Sequence, residues 1–87
     1  MLEDIKKIQG INHNDFDTII ETWINAGISD LSSIGIVDTL VNLEDPKIYT
    51  AVLTYVLSFI DVVNSEMYKS SYRLQKDVIR HLTEYTE

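Results

Sequence analysis

The chain has 87 residues, of which 45% are apolar and 24% are charged. These proportions exclude an intrinsically disordered chain, and the length leaves room for one small core, so we expect a single domain over residues 1–87. The lack of cysteine excludes disulfides and thiolate metal sites. No signal peptide is visible at the N-terminus, and the uncharged run at 48–60 is shorter than the roughly 20 residues of a membrane-spanning helix. We therefore expect no membrane association.

The net charge is −7, and the whole excess lies in one block of the chain. No Lys or Arg occurs between Lys7 and Lys47, and the acidic residues of 8–46 account for the excess by themselves. This disfavours a conventional nucleic-acid-binding protein, which needs cations to displace condensed counterions. The block is either a solvating surface or a face for a partner. The candidates for such a face are Asp17, Glu21, Asp30, Asp38 and Glu44.

Two helices are predicted in the first half of the chain. Apolar residues at helical spacing predict a short helix over residues 2–9. A second helix is expected to start at Asn12 or Asn14, either of which can cap it, and to end at Gly35. Gly27 falls inside the apolar pattern of this second helix, where it costs about 1 kcal/mol against Ala. That cost predicts close contact between the helix and another backbone.

The third predicted helix begins with a cap at Asp45 and Pro46 at its first position. The thirteen residues between Lys47 and Asp61 carry no charge, and ten of them are apolar. The run is rich in β-branched residues, but it is longer than a usual strand, so a helix is favoured. Its one polar line consists of small hydroxyl residues four apart: Thr50, Thr54 and Ser58.

A helix that is apolar on nearly every face must be surrounded. The other three helices of so small a chain can cover only part of this third helix. We expect another subunit to cover the remainder along the hydroxyl line. A monomeric bundle with this helix at its centre is the alternative.

The fourth helix is predicted from about Ser65 to Tyr85. Its expected buried line is Met67, Leu74, Val78, Leu82 and Tyr85. Its cations form one stripe: Lys69, Arg73, Lys76 and Arg80. The stripe is a candidate subunit interface, in which one copy meets the acidic block of the next and the contacts close into a ring. Solvated pairs within the helix and contacts to phosphates are the alternatives.

These elements predict an all-α fold, a small bundle of about four helices in which a short N-terminal helix precedes three longer ones. Residues 36–44, IVDTLVNLE, connect the second helix to the third and are too apolar for a solvated loop. We expect them to hold a helical turn or an arm that packs on another surface.

No catalytic constellation is recognisable. His13 and His81 are the only histidines and lie far apart in sequence. His13 stands four residues before Asp17, but both are better explained by the helix start. Asp15 and Asp17 would point to different sides of a helix. We therefore expect no enzymatic activity, no cofactor and no metal.

The order of residues resembles that of the small head–tail connector, or DNA-packaging, proteins of tailed bacteriophages. The resemblance rests on DFDTIIETWINAGISDLSSIGI and EDPKIYTAVLTYVLSF and covers nearly the whole chain. Two sets of positions match the family pattern. The first is Asp15, Asp17, Ile19, Ile20, Ala26, Asp30, Leu31, Gly35 and Ile36. The second is Asp45, Pro46, Ile48, Ala51, Val52, Thr54, Tyr55 and Val56.

The resemblance implies a structural virion protein at the head–tail junction, assembled in the cytoplasm of the bacterial host. Its copies would form a ring, a dodecamer in the assembled particle, beneath the portal protein and above a tail-proximal adaptor protein. DNA would pass through the ring without sequence-specific binding, and the acidic face would line the lumen and repel it.

Two other functions remain open on the residues alone. One is a small acidic helical module of regulatory or inhibitor type, which binds one basic partner. The other is a weak DNA-binding regulator that uses the basic stripe. A measurement of native mass distinguishes a multimeric connector from the regulatory module. A measurement of DNA affinity at physiological salt tests the DNA-binding regulator.

Overall fold

A computed structural model describes residues 1–34 and 42–82. Four α-helices follow one another along the chain: α1 (Leu2–Gln9), α2 (Asp17–Ser32), α3 (Pro46–Ile60) and α4 (Ser65–His81). The described ranges contain no strand. The predicted all-α bundle of four helices is confirmed.

The first helix matches its predicted bounds, whereas α2 starts later than expected. The residue before α2 is Phe16, and no side chain caps the helix. The prediction that Asn12 or Asn14 caps it is wrong. Oδ1 of Asn14 instead accepts a hydrogen bond from Nζ of Lys6 at 2.8 Å, so this side chain joins α1 to the loop. Gly35, the predicted end of α2, lies outside the described residues.

The start of α3 is the one that its sequence predicts. Oδ1 of Asp45 accepts hydrogen bonds from the backbone amides of Lys47 at 2.8 Å and Ile48 at 3.5 Å. Pro46 occupies the first turn, where its missing amide hydrogen costs nothing. Most of the 36–44 connection lies outside the described residues. Its last part is a turn in which Oδ1 of Asn42 accepts from the amides of Glu44 and Asp45.

The core surrounds α3, because the other three helices turn their apolar residues towards it. Four residues of α3 are fully buried: Ile48, Ala51, Val52 and Val56. The partners are Ile5 from α1, Ile20, Ile24 and Leu31 from α2, and Tyr72 and Ile79 from α4. No helix in the described part of the chain is long and apolar enough to cross a membrane.

The fourth helix buries a different face from the one predicted. Met67, Leu74 and Val78 were expected inside, but they are 58%, 70% and 58% exposed. Tyr72 and Ile79 are buried in their place. Both sets recur at helical spacing along α4. Helix α3 packs against the set that contains the aromatic ring of Tyr72. Tyr85 lies outside the described residues, as does the predicted end of this helix.

Gly27 of α2 lies against side chains of α3. A Cβ atom at this position would lie 3.0 Å from Cδ1 of Tyr55 and 3.3 Å from Cγ1 of Val52. The predicted close contact is present, although it is made with side chains of α3. The Tyr55 ring has little room to move, since it also packs edge-on against Phe59 and Tyr72.

We expect Gly27→Val to lower the free energy of unfolding by about 1–3 kcal/mol, because the added methyl groups would overpack the α2–α3 contact. Asn25→Val is the matched control, since it makes the same new side chain at an exposed position of α2 and should change stability by less than about 0.5 kcal/mol. Urea unfolding followed by circular dichroism measures both. Equal effects of the two substitutions would contradict the close contact.

Candidate functional site

The hydroxyl line of α3 lies mostly beneath α4 of the same chain. Thr54 and Ser58 are only 8% and 7% exposed. Oγ1 of Thr54 accepts a hydrogen bond from Nε2 of Gln75 at 3.0 Å, and the backbone oxygen of Ser58 accepts one from Oγ of Ser65 at 2.9 Å. The expectation that the whole line faces another subunit is therefore corrected for these two residues. Thr50 is exposed and stays a candidate interface residue.

The exposed side of Thr50 belongs to an apolar groove between the start of α3 and the second half of α4. The groove has a volume of about 500 Å³. We call it the α3/α4 groove and define it by Pro46, Lys47, Thr50, Leu74, Gln75, Val78 and Ile79. Its outer wall is formed by Leu74 and Val78, the residues that the sequence pattern placed inside.

A second apolar surface lies where the first half of α2 meets the end of α3. We call it the aromatic patch and define it by Ile11, Phe16, Ile19, Ile20, Trp23, Phe59 and Ile60. Phe16, Ile19 and Phe59 are 51%, 47% and 46% exposed. The rings of Trp23 and Phe59 stack with their centres 5.8 Å apart, so the patch joins α2 to the end of α3.

Most of the basic stripe is engaged within its own chain. Lys69 lies 3.5 Å from Glu66, and Arg80 pairs with Asp77, in both cases one turn away on α4. Lys76 crosses to α2, where its Nζ lies 3.1 Å from Oδ2 of Asp30. Among the residues that the structure describes, Arg73 has no ion-pair partner. It lines a shallow recess on the side of Leu74 away from the α3/α4 groove, together with Lys76 and Arg80.

The candidate acidic residues do not form one free face. Oδ1 of Asp17 lies 3.0 Å from Nζ of Lys6, whose side chain is almost wholly buried. Asp30 is held by α4 at the other end of α2. Glu21 and Glu44 are exposed, and Asp38 lies outside the described residues. The charges still open to a partner or a lumen are thus fewer than the sequence block implies.

The contact between Asp30 and α4 has its own electrostatics. The Tyr72 hydroxyl donates a hydrogen bond to Oδ2 of Asp30 at 2.5 Å, and the Lys76 ammonium donates to the same oxygen. Burial raises the pKa of Asp30, but the two hydrogen bonds and the positive charge of Lys76 outweigh it and hold the pKa below its usual range. Burial, and then the hydrogen bond to Asp30, raises the pKa of Tyr72. Asp30 is therefore ionised and Tyr72 neutral at physiological pH.

Two side chains of this network were not singled out by the sequence pattern. Lys6 had no role in the sequence analysis, and it joins α1 to Asp17 and Asn14. Tyr72 lay outside the expected buried line of α4, yet it is 7% exposed and donates a hydrogen bond to Asp30. No local signal marks either residue, because each partner comes from a different helix.

The two histidines are not brought together. Nδ1 of His13 accepts a hydrogen bond from the Asp15 amide at 3.3 Å, and Nδ1 of His81 lies 2.7 Å from the backbone oxygen of Asp77. Within the described ranges, no group of three or more His, Asp or Glu side chains is placed to hold a metal ion.

The fold defines a small all-helical protein with two exposed apolar surfaces, the α3/α4 groove and the aromatic patch. The family model described as phage connector protein matches residues 1–79. The chain therefore belongs to the phage connector protein family, a family of structural proteins. It is a component of the phage particle that assembles with other head and tail proteins. No curated protein and no solved structure matches the chain.

Tyr72→Phe should lower the free energy of unfolding at pH 7 by about 1–2 kcal/mol, because it removes a buried hydrogen bond to an ionised carboxylate. The difference from the wild type should shrink as pH falls through the lowered pKa of Asp30, since the native state then gains a proton and loses this contribution. Urea unfolding at neutral and acidic pH measures it.

Tyr68→Phe is the matched control for this prediction. The Tyr68 side chain is half-buried on the same helix, and its hydroxyl makes no hydrogen bond with a residue that the structure describes. The control should leave stability unchanged at every pH. A pH-independent loss in Tyr72→Phe would show that packing of the ring, and not the carboxylate contact, is the cause.

Proposed function

We propose that the chain is a subunit of a closed ring at the head–tail junction of a tailed phage, beneath the portal protein. The ring surrounds the DNA channel and offers a platform to a tail-proximal adaptor protein. The observation that carries this proposal is the family match over residues 1–79. The two apolar surfaces support it, since a ring of identical subunits needs two different faces on each copy.

The charge balance suits a channel through which DNA passes. A net charge of −7 per subunit multiplies around a ring and repels the phosphate backbone, so DNA does not adhere during packaging or ejection. Glu21 and Glu44 are the exposed candidates for a lumen-facing surface. Sequence-specific binding and catalysis have no place in this function, and the proposal includes neither a cofactor nor a metal.

The oligomeric state of the purified protein tests the ring. Native mass spectrometry and negative-stain electron microscopy should show a closed multimer of the 10.0 kDa chain. A dodecamer would have a mass of twelve chains, about 120 kDa. A monomer at every concentration would instead favour the small acidic regulatory module. DNA binding at physiological salt should be undetectable.

The place of the protein in the particle is tested in the phage that encodes it. Removing the gene product should leave DNA-filled heads without tails, because the platform for the tail would be missing. Electron microscopy of the lysate measures this, and supplying the protein from a plasmid should restore tailed particles. Normal tailed particles without the protein would reject the proposed position.

The basic stripe should contribute to assembly through Arg73 and Arg80. Reversing both to Glu is expected to raise the protein concentration needed for assembly about tenfold, which corresponds to about 1.4 kcal/mol, and to weaken the salt dependence of assembly. Reversing Lys7, an exposed cation on α1, is the control. An unchanged multimer mass at all concentrations in the double variant would exclude a role for the stripe.

A further inference from the structure

We propose that the α3/α4 groove of one subunit receives the aromatic patch of the next. The inference rests on the proposed ring and names the two surfaces that build it. The contact is heterologous, so each subunit uses its groove towards one neighbour and its patch towards the other.

The positions of the two surfaces support this pairing. The groove includes Thr50 in the first turns of α3, whereas the patch includes Phe59 near its end. Nine residues of helix separate them, about 14 Å along the axis. They also lie on different flanks, since the groove is completed by α4 and the patch by α2. The groove and the patch are therefore two separate surfaces, as a heterologous contact requires.

The surfaces have matching chemistry. Phe16 and Phe59 are each about half exposed, which leaves roughly 75–125 Å² of uncovered ring surface on each side chain. The groove offers an aliphatic wall of Leu74 and Val78, also more than half exposed. Aromatic side chains seated in a desolvated pocket are the usual source of binding energy in protein interfaces.

Cations outnumber acids beside the groove, where Asp45 and Asp77 adjoin Pro46 and Val78, whereas the charged residues that adjoin the patch in sequence are acidic. Lys47 lines the groove, and Arg73 lies just beyond its Leu74 wall. Asp15 directly precedes Phe16 and has a side chain that is 87% exposed. Asp61 directly follows Ile60 of the patch, and its carboxylate accepts hydrogen bonds from Asn64 and Gln9 of its own chain. Pairing groove with patch brings these cations towards the acids. Pairing groove with groove would instead bring the cations together.

Local complementarity of this kind is needed because each subunit carries a net charge of −7 and repels the others as a whole. A contact that joins two copies of the aromatic patch would add its own acids to that repulsion. The heterologous pairing is the one arrangement of the two surfaces in which the rim charges attract.

Two substitutions separate the possible pairings. Leu74→Glu disables the groove, and Ile19→Glu disables the patch. Both replace exposed side chains on helices, and Glu is a good helix former, so both variants should keep the helical circular dichroism of the wild type. Each variant alone should be a monomer. An equimolar mixture should form a dimer with twice the 10.0 kDa mass and go no further, because one intact groove meets one intact patch.

The single tryptophan supplies a second measurement. Trp23 lies in the patch, so its emission should shift to shorter wavelength when the patch is covered. The shift should appear on mixing the variants and be absent from each one alone. Val63→Glu is the control, since it places the same charge at a 92% exposed apolar position that belongs to neither surface. It should assemble as the wild type does.

The remaining outcomes overturn the pairing. If Ile19→Glu dimerises alone, the groove pairs with itself. If Leu74→Glu dimerises alone, the patch pairs with itself. If both variants still form the wild-type multimer, the ring stands and other surfaces build it. A wild-type protein that stays monomeric rejects self-association through these surfaces, whereas the proposed position in the particle is decided by the tail-less phenotype.

Discussion

The packing of α4 on the hydroxyl-bearing face of α3 is the contact on which the rest of the structure depends. Thr54 and Ser58 are small enough to let α4 lie close, and both form hydrogen bonds with it or with its first residue. This contact encloses α3, which carries no charge after Lys47, from the side that α2 leaves open. It also decides which face of α4 is buried, and therefore which apolar residues remain outside.

An 87-residue chain cannot cover all of its own apolar surface, because short helices bury only one stripe each. Part of the uncovered apolar surface lies in the groove and in the patch. The burial of Tyr72 and Ile79 turns Leu74 and Val78 outward to form the groove, and the stacking of Trp23 on Phe59 leaves half of the Phe59 ring exposed. Enclosure of α3 within one chain and association between chains are therefore compatible, since the exposed residues of the groove and the patch are not those that seal the core.

The sequence predicts those features of the fold that depend on local chemistry. The cap at Asp45 with Pro46 is such a feature, because both partners lie within one helical turn. The cost of Gly27 in a helix likewise indicates its close contact with α3. The buried face of α4 was not predictable in this way. Leu74 and Val78 match the helical period as well as Tyr72 and Ile79 do, and only the position of α3 distinguishes the two sets.

The pairing of charges in the candidate site could likewise be predicted from the sequence only in part. The sequence separates an acidic block from a basic stripe, and their attraction was assigned to a contact between copies. Part of this attraction acts within one chain, where Lys76 of the stripe pairs with Asp30. Lys6 of α1, outside the stripe, pairs with Asp17 in the same way. These pairs cross between helices, so they fix how α1 and α4 lie against α2. Charges that are paired within one chain cannot also attract a neighbouring subunit. The charged residues at the exposed rims of the groove and the patch are left to direct association.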